Sequence, residues 1–128
     1  MTIQEALDRV DMLRPNGLNK TFKLAALSEL DGIIRKEIID RHYQTPEEEV
    51  TEEYKGYTEE TDPTTELLAP FPYDEIYTYW LCCKVDYQNL EMDKYNNDRA
   101  MFNNAYDTLA DYWTRTHMPR QRHRELHI

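Results

Sequence analysis

Cysteine, glycine and long apolar runs are all scarce in this chain of 128 residues. Its two cysteines, Cys82 and Cys83, are adjacent, which excludes the disulfide framework of small secreted proteins. The longest uncharged stretches, such as residues 76–83, are far shorter than the roughly 20 residues that a membrane helix needs. The first residues carry acids instead of a basic and then apolar leader, so we expect no signal peptide. These features predict a single soluble domain made in the cytoplasm.

The recurring motifs of enzymes are also missing. The chain has 3 glycines and contains neither a glycine-rich phosphate loop nor the G-x-S-x-G motif of serine hydrolases. Acid pairs such as Glu75 and Glu91 suit acid–base catalysis, but pairs of this kind arise freely among 25 acids in 128 residues. We therefore predict that the protein is not an enzyme and uses no cofactor.

Two pairs of side chains have the chemistry of metal ligands. On a helix, Cys82 and Cys83 project about 100° apart, so they cannot hold one metal ion together and are predicted to be buried structural thiols. His123 and His127 have the four-residue spacing of helical ligands, but their surroundings show no helical pattern and offer no third ligand. We predict no metal site.

The net charge of −10 is unevenly distributed. Nine of the 25 acids lie in residues 47–66, where Lys55 is the one base, whereas residues 114–128 hold four arginines and one acid. The overall sign argues against a protein that coats DNA, because displacing counterions requires a basic face. An acidic middle and a basic tail favour contact between copies or with an oppositely charged partner; the alternative is a solvated loop and a solvated end.

Two amphipathic helices are predicted before residue 42. Thr2 and Glu5 form a capping box ahead of an apolar series, and the sequence PNG at 15–17 ends this first helix. Asn19 caps a second helix, in which apolar residues recur at helical spacing. Gly32 lies inside this second helix, where it permits either a close contact or a slight kink.

The strongest helical signal begins at Asp74. A third helix carries one apolar stripe at 76, 80, 83, 87 and 90 and a second at 73, 77, 81 and 85, so it needs two packing partners. A fourth helix follows and ends by Pro119. We expect helices two, three and four to form the core, and the side chains predicted to be buried are Leu30, Ile34, Trp80, Cys83, Phe102, Tyr106 and Leu109.

The segment 42–72 departs from the helical pattern, because Pro46 is followed by one glycine and three prolines that would interrupt a helix. Residues 54–60 and 66–69 favour a β-hairpin around a turn at 61–64. A lone hairpin is marginally stable, so this projecting arm is expected to lean on the helices or on another subunit.

The predicted fold is therefore mainly α. It is a small bundle of about four helices in residues 1–119, with an acidic loop or β-hairpin arm at 42–72 inserted between helices two and three. A basic tail at 120–128 follows.

Tyrosine is abundant, with 10 in the chain, and exceeds what a core of four short helices needs. Tyrosine is favoured where one end of a side chain meets a partner or water. Arginines near the C-terminus are suited to an acidic neighbouring surface. The candidate interface residues are Tyr54, Tyr57, Tyr73, Tyr77, Arg115, Arg120, Arg122 and Arg124.

Five short segments resemble a known family. They are LSELDG at 27–32, LLAPFPYDEIY at 67–77, YNN at 95–97, MFNNAY at 101–106 and YWTRTHMP at 112–119. Together, and in this order, they are similar to small proteins encoded in the head-gene region of tailed bacteriophages and prophages. Those proteins are described as head–tail connector or head-completion proteins. The resemblance covers most of the chain apart from the acidic segment and the basic tail.

The resemblance implies a non-enzymatic, mostly helical structural protein of the virion. Such an adaptor docks on the portal protein and joins the phage head to the tail as a homo-oligomeric ring, usually dodecameric. Its partners are the portal and neighbouring head- and tail-completion proteins, and no membrane is involved. The implied location is the head–tail interface of the virion after synthesis in the bacterial host cytoplasm, with the isolated chain expected to be monomeric.

Other functions stay open on the sequence alone. An acidic DNA mimic that inhibits a nucleic-acid-binding host protein would need acids spaced like duplex phosphates, whereas many acids crowd into residues 47–66. A small enzyme or regulatory interaction protein is the other alternative, and no site motif supports it. Contact of the arginine tail with packaged DNA is an alternative to its contact with a neighbouring subunit.

Overall fold

Four α-helices form the body of the protein. In the computed structural model, which describes residues 1–49 and 52–120, α1 spans Ile3–Leu13, α2 Lys20–Glu37, α3 Ile76–Gln88 and α4 Met92–Thr116. A short 3-10 turn, Ile39–Arg41, follows α2. The mainly α bundle predicted from the sequence is confirmed.

The first two helices begin at the predicted caps. The Thr2 hydroxyl accepts a hydrogen bond from Glu5 N at 3.1 Å, and the Glu5 carboxylate accepts one from Thr2 N at 3.0 Å. The Asn19 side chain accepts a hydrogen bond from Phe22 N at 2.8 Å. These contacts satisfy backbone N–H groups that have no partner within the first turn of a helix.

A three-residue connection joins α3 to α4, which pack along each other. Leu90 has the left-handed φ of 56°, and Glu91 N donates to Asp86 O at 2.9 Å. Together with the bond from Leu90 N to Tyr87 O, this is the Schellman arrangement that ends many helices. The connection reverses the chain, so α3 and α4 form a helical hairpin.

The core receives side chains from all four helices and from the segment before α3. Four apolar residues of α1, which the sequence left outside the predicted core, are buried in it: Ile3, Ala6, Leu7 and Val10. Leu30, Ile34, Cys83, Phe102 and Leu109 are buried as predicted. The prediction is wrong for Trp80 and Tyr106, which are only half-buried.

Both stripes of α3 contribute to the core, since Ile76 and Cys83 of the first stripe are buried as well. Tyr77, Leu81 and Val85, on the second stripe, are fully buried. On the first stripe, burial ends before the last turn, since Tyr87 is 59% and Leu90 79% exposed. The buried stripe faces the other helices, and the C-terminal half of the first stripe lies at the surface.

Of the two alternatives predicted for 42–72, a loop or a β-hairpin, the described residues 42–49 and 52–72 form the loop. Among the described residues, β pairing is limited to isolated bridges, Thr2 with Glu66 and His42 with Pro119. The last part of the loop packs into the core, where Leu67 and Ala69 are buried. The Tyr54 and Tyr57 hydroxyls bond groups on α2, so this segment leans on the helices, which is one of its two predicted supports.

Backbone and terminal contacts hold this loop against α1. Ile3 N donates to Thr65 O at 3.1 Å, and Leu67 N donates to Met1 O at 3.0 Å. The N-terminal ammonium group of Met1 bonds Glu66 at 3.2 Å and Asp74 at 3.1 Å. The start of the chain is thus fixed beside the start of α3.

Candidate interaction surface

A buried carboxylate, Asp31, organises the contact between α2 and the loop. Its oxygens accept hydrogen bonds from the Tyr77 hydroxyl at 2.6 Å, the Tyr57 hydroxyl at 2.5 Å and Leu68 N at 3.2 Å. The Tyr77 hydroxyl also accepts a bond from Ala69 N at 2.7 Å. We call these five residues the Asp31 network. They join α2, the loop and α3 at one point.

The electrostatics of the Asp31 network follow from its burial. Desolvation raises the pKa of Asp31, and its hydrogen bonds oppose that shift. Burial and the adjacent Asp31 carboxylate also raise the pKa of Tyr57 and of Tyr77, so both hydroxyls stay protonated and donate. The network is therefore a set of satisfied structural hydrogen bonds.

The candidate interface tyrosines lie in three different environments. Tyr77 is 0% exposed, so its prediction as an interface residue is wrong: its hydroxyl is engaged inside the chain. Tyr54 and Tyr57 are half-buried against α2, where Tyr54 donates to Ser28 O at 3.0 Å. Tyr73 is half-buried and stacks on Tyr112 of α4, with ring centroids 4.6 Å apart. These tyrosines mainly fasten the loop to the helices.

Two of the four candidate arginines are described by the structure. Arg115, at the end of α4, and Arg120 are exposed. The Arg120 guanidinium lies 5.5 Å from the centre of the Tyr43 ring. Arg122 and Arg124 lie outside the described residues, as do His123 and His127.

The two cysteines are buried free thiols, as predicted. Burial raises the pKa of Cys82 to about 11 and that of Cys83 to about 12. At neutral pH both therefore carry a proton, and a protonated thiol is a poor nucleophile and metal ligand. Within residues 1–49 and 52–120, no three histidine, cysteine or acidic side chains are grouped so that they could hold a metal ion.

An arginine from the end of α1 bridges two buried carboxylates. Arg14 Nε bonds Asp86 on α3 at 3.1 Å, and its NH2 group bonds Asp98 on α4 at 3.0 Å. Burial and the neighbouring Asp98 raise the pKa of Asp86 to about 6. One guanidinium thus offsets two carboxylates and ties three helices together at this end of the bundle.

A surface groove runs between the start of α2, the second half of α3 and the start of α4. Its volume is about 330 Å³, and we call it the aromatic groove. The residues that line it are Phe22, Trp80, Cys83, Lys84, Tyr87, Gln88, Tyr95 and Arg99. None of these is acidic, although the chain has 25 acids.

Contacts within the aromatic groove fix its walls. The Trp80 ring lies 5.0 Å from Phe102 in the core, and its Nε1 donates to Ala26 O at 2.8 Å. The Lys84 ammonium lies 4.4 Å from the centre of the Trp80 ring, a cation–π contact. The rings of Tyr87 and Tyr95 are inclined at 58° to each other, with their centres 5.9 Å apart. The groove therefore presents aromatic faces beside positive charge.

The apolar stripe of α3 is predictable from spacing, whereas this groove is not. Trp80 is predicted to be buried and Tyr87 lies on the same stripe, but apolar spacing alone does not distinguish a packed face from an exposed one. The signal that could have separated them is the position of two cations, Lys84 and Arg99, near aromatic residues in a stretch where acids outnumber bases. Charge of the minority sign beside aromatic residues favours a binding surface over a core.

Comparisons with known proteins add no identification. No family model, curated protein or solved structure matches this chain. No helix in the described part of the chain is long and apolar enough to cross a bilayer.

Proposed function

We propose that this chain is a structural connector of a tailed bacteriophage or prophage, which docks on the portal protein and joins head to tail. Its chemistry is that of an assembly protein: it binds protein surfaces and performs no reaction. The proposal extends the family resemblance of the sequence, and the folded chain supports it in two ways.

The observation that carries the proposal is the position of the resembling segments. Segments 27–32 and 67–77 are separated by 34 residues in the sequence but meet in the Asp31 network. Asp31 comes from the first segment, and Leu68, Ala69 and Tyr77 come from the second. Motif residues that hydrogen-bond one another in a core define the fold. Members of a structural family that share no reaction resemble one another through such residues.

The distribution of exposed apolar side chains is the second support. Phe71, before α3, is 85% exposed, whereas Leu90 and the aromatic groove lie toward the other end of α3. A subunit of a ring needs two different faces, one for each neighbour, because its interfaces are heterologous. Separate apolar surfaces on one small body meet that requirement.

Binding to a portal ring tests the proposal. The purified chain is mixed with the portal protein encoded by the same genome, and the mass of the complex is measured by native mass spectrometry. We expect the chain to bind the assembled portal in equal subunit numbers. A portal from an unrelated phage is the control and should bind none. Absence of binding to the cognate portal would contradict the proposed function.

A further inference from the structure

The aromatic groove is open in the isolated chain. Phe22 is 37% and Tyr87 59% exposed, so aromatic surface on two of its walls faces water. Its volume of about 330 Å³ is at the low end of the range for ligand pockets and suits one inserted side chain. Of its two cations, Lys84 already pairs with Glu29 at 3.5 Å, whereas Arg99 is exposed. The groove therefore favours an apolar group with a carboxylate placed to meet Arg99.

The turn at residues 70–73 of the same chain carries an exposed apolar side chain near a carboxylate. Phe71 is 85% exposed, the largest exposed fraction among the large apolar side chains of the described residues. The turn is closed by a hydrogen bond of 2.7 Å from Tyr73 N to Pro70 O, and the stacking of Tyr73 on Tyr112 anchors it. We call it the Phe71 turn.

Acidic residues directly follow the Phe71 turn. Asp74 bonds the N-terminal ammonium group. Glu75 is exposed, and its carboxylate accepts a hydrogen bond of 3.5 Å from the Tyr79 hydroxyl. Glu75 is thus placed to meet a cation on a partner. An exposed aromatic side chain beside an exposed carboxylate matches the chemistry of the groove.

We propose that the Phe71 turn of one copy inserts into the aromatic groove of a second copy, with Glu75 facing Arg99. The surfaces are different, so the contact is head-to-tail and leaves a free turn at one end and a free groove at the other. Repetition of such a contact closes into a ring if the rotation between copies allows it, and otherwise extends as a filament.

This inference deepens the proposed function and rests on it for its biological setting. The contact supplies the subunit interface that a ring around the portal needs. One inserted phenylalanine is a small interface compared with those of stable complexes, so copies associate weakly in solution and are brought together on the portal.

Photo-crosslinking tests the contact on the purified full chain. Phe71 is replaced with p-benzoylphenylalanine, the protein is irradiated, and the product is mapped by mass spectrometry. We expect a two-chain product in which the linkage lies on a groove residue such as Phe22, Tyr87 or Tyr95. The same amino acid at Tyr43, another exposed aromatic position, is the matched control and should give no product linked to the groove.

Charge reversal shows whether the two faces recognise each other. Arg99→Glu and Glu75→Lys, each added to the crosslinking chain, should lower the yield at least fivefold, and the two changes together should restore it. Both positions are exposed, so thermal unfolding of the variants should match that of the parent. A yield that is unchanged by the single reversals, or not restored by the double reversal, would overturn the proposal.

The absence of a two-chain product, or a linkage outside the groove, would also overturn it. Portal binding is measured separately on the unmodified chain. If portal binding persists while the crosslink fails, the self-contact is wrong and the connector function stands. If the crosslink forms but the portal is not bound, the self-contact stands and the connector function is wrong.

Discussion

The Tyr77 hydroxyl of α3 donates a 2.6 Å hydrogen bond to the Asp31 carboxylate of α2, and both side chains are 0% exposed. Because the same hydroxyl accepts a bond from Ala69 N, it connects two helices and the loop between them. A buried polar group of this kind is stabilising only while its partners are present.

Removal of this one hydroxyl should therefore destabilise the fold. Tyr77→Phe leaves Asp31 with one donor fewer and Ala69 N without an acceptor, so we expect a loss of about 1–3 kcal/mol in the free energy of unfolding. Urea denaturation measures it. Tyr43→Phe is the control, since Tyr43 is exposed. Equal stabilities of the two variants would show that the network contributes nothing.

The Arg14 bridge predicts a pH dependence. The pKa of Asp86 is raised, so the folded chain holds this proton more tightly than the unfolded chain does. The stabilisation from Asp86 is then present at pH 4 and is lost as the pH rises through about 6.

Asp86→Asn imitates the protonated carboxyl at every pH. We expect the variant to be more stable than the parent at pH 7 and about equally stable at pH 4, as measured by denaturation at both values. Asp111→Asn, at an exposed position of α4, is the control and should leave the pH profile unchanged. A variant less stable than the parent at pH 7 would contradict the shared-arginine interpretation.

Replacement of either of two glycines by alanine should change the free energy of unfolding, and in opposite directions. Gly56 has a φ of 77°, and an added Cβ would lie 3.0 Å from Ser28 Cβ, so Gly56→Ala should destabilise by about 1–2 kcal/mol. At Gly32 an added Cβ would lie 3.5 Å from the Tyr54 ring, an ordinary contact. Gly32→Ala should then stabilise α2 by about 0.5–1 kcal/mol. Thermal unfolding of both variants checks the pair, and a shared sign would show that the loop lies differently on α2.

Leu90 combines a left-handed backbone with 79% exposure. A left-handed conformation costs a side-chain-bearing residue about 1 kcal/mol, and glycine avoids that cost. Leu90→Gly should therefore raise the free energy of unfolding by up to about 1 kcal/mol, since little apolar burial is lost. Leu90→Ala is the matched comparison, because it shortens the side chain and keeps the strained backbone. If the glycine variant were the less stable of the two, Leu90 would be supporting the core.

The local features were the ones that the sequence predicted well. The caps at Thr2 and Asn19, the helical periods and the end of α1 depend on neighbours in the sequence, and all are found in the structure. Which stripe of α3 is buried depends on how the helices cross, and spacing alone does not contain that information.

The choice between loop and hairpin, and the existence of the groove, could not be predicted for a related reason. Tyr54 and Tyr57 favour extended chain, yet their hydroxyls bond groups on α2, and this tertiary contact outweighs strand propensity. The aromatic groove draws Phe22 from α2, Tyr87 from α3 and Arg99 from α4. A surface assembled from three helices can be recognised only in the folded structure, since the spacing within one helix does not reveal it.

A nonsense mutation in the gene for this chain, within the genome that encodes it, tests the proposed connector function most directly. Particles are examined by electron microscopy after induction or infection. The connector function predicts separate heads and free tails, with infectivity restored when the intact chain is supplied from a plasmid. Intact tailed particles with normal infectivity in the absence of the chain would contradict it.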